Sequence, residues 1–172
     1  LLASIVAITP LAIDLYLPAM LVIANDLQTT MPNVQISLSI YLAGYALGML
    51  FFGPIADELG RRLLAKVGLS LFGISSLALA FCQNIELFWS LRAIQAFTGA
   101  AATVVVPGII RHIYRENTAK GMSYVSMIMM VAPLIAPTLG SLIMGISTWQ
   151  VIFIVLAGYS FTILALVQIH LI

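Results

Sequence analysis

Six of the seven Lys and Arg residues in this 172-residue chain fall in two short segments, Arg61–Lys66 and Arg111–Lys120, and nearly everything between them is apolar. No soluble core can absorb such runs. Hydrophobic residues make up 62% of the chain and charged residues 8%, against about 25% charged in an ordinary soluble domain. Too few polar side chains remain to cover the surface, so lipid is the solvent that the composition implies. About 20 apolar residues cross a bilayer as a helix. Six such runs are present, at about 1–24, 34–56, 63–82, 87–109, 121–144 and 150–172. Each must be helical, because lipid offers no partner to an open backbone group. The expected fold is all-α, with six transmembrane helices, here spans one to six.

The links between spans are short, and their charges sort cleanly. The second and fourth links hold Arg61, Arg62, Lys66, Arg111, Arg115 and Lys120, while the first, third and fifth hold no Lys or Arg. Basic residues collect on the cytoplasmic side of an inner membrane. Both basic links, and with them both ends of the chain, are therefore expected in the cytoplasm. Trp89 and Trp149 are expected to flank the opposite interface, where amphipathic rings are favoured. Residues of about 1–83 and 84–172 hold three spans each and run in opposite senses. That is the topology of an inverted repeat. The chain starts at Leu1 inside an apolar run and stops at Ile172 without a polar tail, so it is expected to be an excerpt of a longer protein.

Two ionisable residues fall inside spans. Asp14 sits within Ala12-Ile13-Asp14-Leu15-Tyr16-Leu17-Pro18. Membrane depth penalises the ionised carboxylate, which makes Asp14 a candidate to alternate between a proton and a cationic substrate. A structural carboxylate bonded to neighbouring helices is the other reading. Pro18 removes a backbone donor and frees the carbonyl of Asp14, so a local kink is expected there. Arg92 lies inside span four and heads a stripe of Gln95, Ala96, Gly99 and Thr103 at helical spacing. That small, polar face is expected toward the bundle or a wet cavity. The depths of Asp14 and Arg92 differ by about 8 Å at 1.5 Å per residue, so a direct pair is not favoured. A structural role for Arg92 at a link or helix end stays open.

The link Gly53-Pro54-Ile55-Ala56-Asp57-Glu58-Leu59-Gly60-Arg61-Arg62 carries the densest pattern. Asp57 is expected to cap the following helix. Gly60 permits a turn with positive φ. Arg61 and Arg62 suit helix-end carbonyls or anionic headgroups. In span five, Ser123, Ser126, Met130, Pro133, Pro137, Gly140 and Ser141 share a stripe, and two prolines four apart are expected to bend it. Gly44 and Gly48 suit close helix packing. Tyr16, Tyr41, Tyr45, Gln95 and Met127 are candidates to line a cavity, with packing or lipid contact as the alternative. No stripe suits nucleic acid, and no nucleophile elbow, zinc-protease motif or phosphate loop occurs. No cofactor or metal is expected, and the chain is not read as an enzyme.

With these residues placed, the chain resembles the N-terminal half of a twelve-helix major facilitator superfamily transporter, a superfamily already known for nested inverted repeats. The link from Gly53 to Arg62 is similar to its loop between helices two and three. Leu91-Arg92-Ala93-Ile94-Gln95-Ala96-Phe97-Thr98-Gly99 resembles the helix-four motif tied to proton transfer in drug/proton antiporters. Ala132-Pro133-Leu134-Ile135-Ala136-Pro137-Thr138-Leu139-Gly140 resembles the helix-five antiporter motif, and Trp149-Gln150-Val151-Ile152-Phe153 the opening of helix six. Asp14-Leu15-Tyr16-Leu17-Pro18, taken with the helix-five motif, is similar to the Bcr/CflA drug-resistance transporters. Glu58 departs from the usual basic residue, and Ala96, Ala132 and Ala136 stand where glycine is common.

The resemblance implies proton-coupled multidrug efflux across a bacterial inner membrane by alternating access. Asp14 and Arg92 would couple protons to a drug-like substrate. Gly53, Asp57, Gly60, Arg61 and Arg62 would gate the cytoplasmic side against the C-terminal half of the polypeptide. Pro133, Pro137 and Gly140 would form the helix-five motif. A carrier of nucleosides, sugars or amino acids, and a non-transporting scaffold, are the competing readings. The charge pattern makes a direct prediction. Single cysteines replacing Arg61 and Arg115, in a chain carrying Cys82→Ser, should both label only from the cytoplasmic side.

Overall fold

The computed structural model describes residues 1–171, which are helical almost throughout. The helices in chain order are α1 (Leu2–Asp14), α2 (Met20–Asp26), α3 (Met31–Leu59), α4 (Arg61–Ala80), α5 (Ile85–Thr103), α6 (Val106–Tyr114), α7 (Thr118–Ile146) and α8 (Trp149–His170). Two short 3₁₀ turns, Leu17–Ala19 and Arg115–Asn117, interrupt them. No strand occurs among the described residues. Five helical stretches are long and apolar enough to cross a membrane: Leu2–Asp26, Met31–Leu59, Arg61–Ala80, Ile85–Ile146 and Trp149–His170.

The first stretch is broken where Pro18 predicts it. Leu15 and Tyr16 leave the α-helix, and the Ala19 amide donates to the Tyr16 carbonyl at 2.9 Å in a 3₁₀ turn. Asp14 is thus the last residue of α1 rather than a mid-helix residue. The fourth stretch spans 62 residues, about 93 Å at 1.5 Å per residue, roughly three times a hydrocarbon core. It does not run straight. It breaks at Val104–Val105, just before Pro107, and again at Arg115, whose φ is +46°; α6 packs against α7. The link expected over residues 57–62 shrinks to one residue. Gly60, at φ +86°, both ends α3 and begins α4.

Helix α5 lies between α3 and α4; α4 in turn packs on α8, and α1 packs on α7. Small residues make the close approaches. A Cβ at Gly48 would lie 2.6 Å from Ala100 Cβ and 2.9 Å from the Phe97 carbonyl, so α3 presses directly on the α5 backbone. The main core joins Ile5, Ile8, Tyr16, Leu69, Phe72 and Phe153 with residues of every long helix.

One expectation is corrected. Trp149 is only 1% exposed, so it does not lie in a lipid-facing belt. Its Nε1 donates to Asp26 Oδ2 at 2.7 Å, and its ring packs edge-on against Phe88 and Phe153. Trp89 Nε1 donates to the Asn33 carbonyl at 2.8 Å. Both indoles act as struts to the first link. On α7, the buried face is Gly121, Val125, Ala136 and Gly140. Ser123, Ser126, Met130, Pro133 and Ser141 of the expected stripe are exposed, and the α-helix continues through Pro133 and Pro137. A helix with proline flanked by alanines and glycine packs through its smallest residues, which are offset from the polar ones.

Candidate functional site

The site grows from the break in the first stretch. At the C-terminal end of a helix the last carbonyls lack amide partners and carry partial negative charge. Arg92 fills that position. It is fully buried on α5, and its Nη1 donates to the Ala12 carbonyl at 3.0 Å and to Gln95 Oε1 at 2.8 Å. Gln95 Nε2 donates to Ser76 Oγ at 2.8 Å, and Ser76 Oγ donates to the Phe72 carbonyl at 2.8 Å. One chain of hydrogen bonds therefore runs from α1 through α5 into α4.

The faces of the guanidinium are covered by aromatic rings. Its Cζ lies 4.4 Å from the Tyr16 ring centroid and 4.3 Å from that of Tyr41. Each contact adds about 2 kcal/mol or more when desolvated, as these are. Tyr16 comes from the broken turn and Tyr41 from α3, so four elements meet on one cation. Tyr16 is in turn hydrogen-bonded to Ser37 of α3 at 3.1 Å. Arg92 Nε and Nη2, with the Thr9 and Tyr41 hydroxyls, are buried without a hydrogen-bond partner among the described residues. Stacking and the helix end, rather than a carboxylate, offset the cost of burying this charge.

Asp14 and Arg92 form no ion pair; Asp57–Arg61 is the one Lys/Arg-to-carboxylate pair among the described residues. Asp14 is half-buried and makes no side-chain hydrogen bond among them. Arg92 instead grips the backbone two residues before it. Tyr16, Tyr41 and Gln95 are brought together around Arg92, all fully buried. Tyr45 stands apart, bonded to Thr103 at 2.9 Å near the break after α5. Met127 is 61% exposed on α7 and touches none of this cluster. Ser76 was missed in the sequence, although a Ser75-Ser76 pair inside an apolar span was a signal that something polar faced it. Gly140 packs against the Leu15 carbonyl and Pro18, so the helix-five motif abuts the same broken turn.

The link between α3 and α4 forms a second locus. Asp57 does not cap α4; it lies in the last turn of α3, and Arg61 Nη2 donates to its Oδ1 at 3.0 Å. The Arg61 Nη1 donates to the Gly108 carbonyl of α6 at 2.8 Å. Arg62 is exposed, and Gly53 has open space around it. A cavity of 810 Å³ opens here, lined by Asp57, Arg61, Arg62, His112 and His170 among others.

Fold and site together define a multi-pass helical membrane protein with a buried cation at a broken helix. The Major Facilitator Superfamily profile matches residues 2–171, and this chain belongs to that superfamily. It is 34% identical to the bicyclomycin resistance protein homolog of Haemophilus influenzae over 86% of this chain and 37% of that relative. It is 36% identical to the uncharacterized MFS-type transporter YdgK of Bacillus subtilis, over 99% and 43% respectively. With the multidrug resistance protein MdtL of Vibrio parahaemolyticus it shares 36% identity, over 90% and 39%. The chain thus spans about two fifths of the length of these relatives.

The Gln95 bridge generates a stability prediction. Gln95→Leu strips Arg92 of one of its two acceptors and Ser76 of its donor, at a cost of about 1–3 kcal/mol for buried groups left unpaired. Its thermal unfolding midpoint, in the full-length polypeptide, should fall clearly below that of the unmodified protein. An unchanged midpoint would show that the bridge contributes nothing.

Proposed function

We propose that this chain forms the N-terminal half of a proton-coupled exporter that moves drug-like molecules out across the bacterial inner membrane by alternating access. The observation that carries this reading is the broken turn at Leu15–Ala19. It ends α1 on Asp14, a carboxylate with no partner among the described residues, and it is held from behind by a buried Arg92. A carboxylate kept free at membrane depth, beside a helix that is already broken, is suited to exchange a proton for a cationic substrate. Arg92 would fix the backbone that presents it. The bicyclomycin and multidrug resistance names of the relatives support a drug-like substrate.

In this reading the 62-residue stretch makes two crossings, giving six in all, with repeats of about 1–83 and 84–172. The packing supports the repeat. Exchanging the first three spans with the last three turns the α3–α5 contact into the α7–α1 contact and leaves α4–α8 as its own counterpart. The first and fourth spans each break just before a proline, Pro18 and Pro107. Hydrogen bonds support the assignment of sides. Asp26–Trp149 and Asn33–Trp89 gather the links without Lys or Arg at one end, and Arg61–Gly108 ties the first basic link to the end of span four at the other. Gly53, Asp57, Gly60, Arg61 and Arg62 would form a cytoplasmic gate against the second half of the polypeptide. Pro133, Pro137 and Gly140 would press span five onto the moving turn. Tyr16, Tyr41, Tyr45, Gln95 and Met127 would line the route as the halves rock, with lipid covering the outer faces.

The test is Asp14→Asn in the full-length polypeptide, assayed for proton-driven efflux by the uptake of a fluorescent cationic dye into everted vesicles. Efflux should be abolished while membrane insertion is unchanged, and Asp14→Glu should restore efflux with a displaced pH profile. Efflux by Asp14→Asn with the ordinary pH dependence would remove Asp14 from the coupling role.

A further inference from the structure

Gly108 has an ordinary backbone, so no conformational demand explains a glycine there. What surrounds it does. A Cβ at this position would lie 2.6 Å from Arg61 Cζ, 2.6 Å from Nε and 2.9 Å from Nη1. The three nearest atoms all belong to one side chain from another helix. Arg61 lies flat over the first turn of α6, and its Nη1 reaches the Gly108 carbonyl at 2.8 Å. The opposite edge of the same guanidinium holds Asp57 Oδ1 at 3.0 Å.

We infer that Gly108 is a positioning residue: it is the seat on which Arg61 clasps the end of α3 to the cytoplasmic piece of the broken fourth span. The planar fork of arginine presents two separate donor pairs, and here each holds a different element. Asp57 fixes one edge and the Gly108 carbonyl the other. The piece being held, α6, begins just past the break at Val104–Val105 and is only nine residues long. A short helix beyond a break has freedom to swing, and the clasp makes it move with the link. Ala56, Leu64, Ala65, Ala101, Val105 and Ile109 form a small separate core there, so the clasp adds a polar tie between α3 and α6 to a packed unit that also takes in α4 and α5. The functional part of the inference rests on the gate reading proposed above; the contact itself does not.

Any side chain at residue 108 would displace the guanidinium rather than the backbone, because the obstructing atoms are the far end of a flexible side chain. This separates a seat from a packing glycine. The experiment is a double-mutant cycle of Gly108→Ala, Arg61→Ala and both together in the full-length polypeptide. It is read by thermal unfolding and by proton-driven efflux of a fluorescent cationic dye. Residues in direct contact are expected to be non-additive. Gly108→Ala should lower efflux about fivefold, as Arg61→Ala does, and the double variant should be no worse than Arg61→Ala alone. The unfolding midpoints should show the same non-additivity. Should Gly108→Ala fail to fold, the double variant should recover folding, since the obstruction has been removed. A double variant that loses the product of the two single effects, or a Gly108→Ala protein indistinguishable from the unmodified one, would overturn the inference. Non-additive midpoints with efflux unchanged in all three variants would keep the contact and sink the gate reading instead.

Discussion

A guanidinium buried without a carboxylate is expensive, and the rest of this bundle is arranged around meeting that cost. Arg92 has no ion pair, yet it is fully buried. Two tyrosine rings cover its faces, a helix end supplies negative potential, and Gln95 accepts a further hydrogen bond. Each of these partners comes with a structural consequence. The helix end exists because the chain breaks after Asp14. Tyr16 reaches the ring position because it sits in that break. Tyr41 reaches it because glycines let α3 lie directly on α5. Pro18 makes the break; removing the cation would leave the Ala12 carbonyl without its donor, and removing the break would take away the carbonyl that the cation needs.

Other polar bonds gather near the two interruptions. In lipid every backbone group must be satisfied internally, and a helix that ends inside the bundle leaves its last carbonyls open to another partner. Arg92 uses the carbonyl at the first interruption. Arg61 uses a carbonyl just past the second, at Gly108, and Tyr45 bonds Thr103 just before it. Gly140 lies against the Leu15 carbonyl at the first. The breaks in α1–α2 and α5–α6 are thus two of the points at which other helices take hold.

Much of this was legible in the residues. The apolar runs and the clustering of Lys and Arg gave the helical membrane class. Pro18 marked the break, because a proline within a span removes the donor that the preceding turn requires. The Arg92-Gln95-Ala96-Gly99-Thr103 stripe marked the buried face of α5, and Gly44 and Gly48 marked its close contact with α3. What the sequence hid were choices among partners. Nothing in it distinguishes Asp14 from the Ala12 carbonyl as the acceptor for Arg92, since backbone carbonyls leave no trace in composition. Asp57 looked like a cap because caps are read from adjacency, yet the one-residue link put it inside α3. Trp149 looked like a lipid anchor, and its burial depended on Asp26, 123 residues earlier. On α7 the contact residues Ala136 and Gly140 lie at or beside the serine and proline positions, an offset that composition does not reveal.

The central claim is that Arg92 holds the broken turn of the first stretch in place. Hydrogen exchange at the backbone amides of residues 15–17, 19 and 20 tests it most directly, comparing the full-length polypeptide with its Arg92→Met variant. Loss of a clasp of about 1.4 kcal/mol or more corresponds to exchange at least tenfold faster in that turn, with the amides of α8 unaffected. Equal exchange in the two proteins at residues 15–17, 19 and 20 would contradict the account.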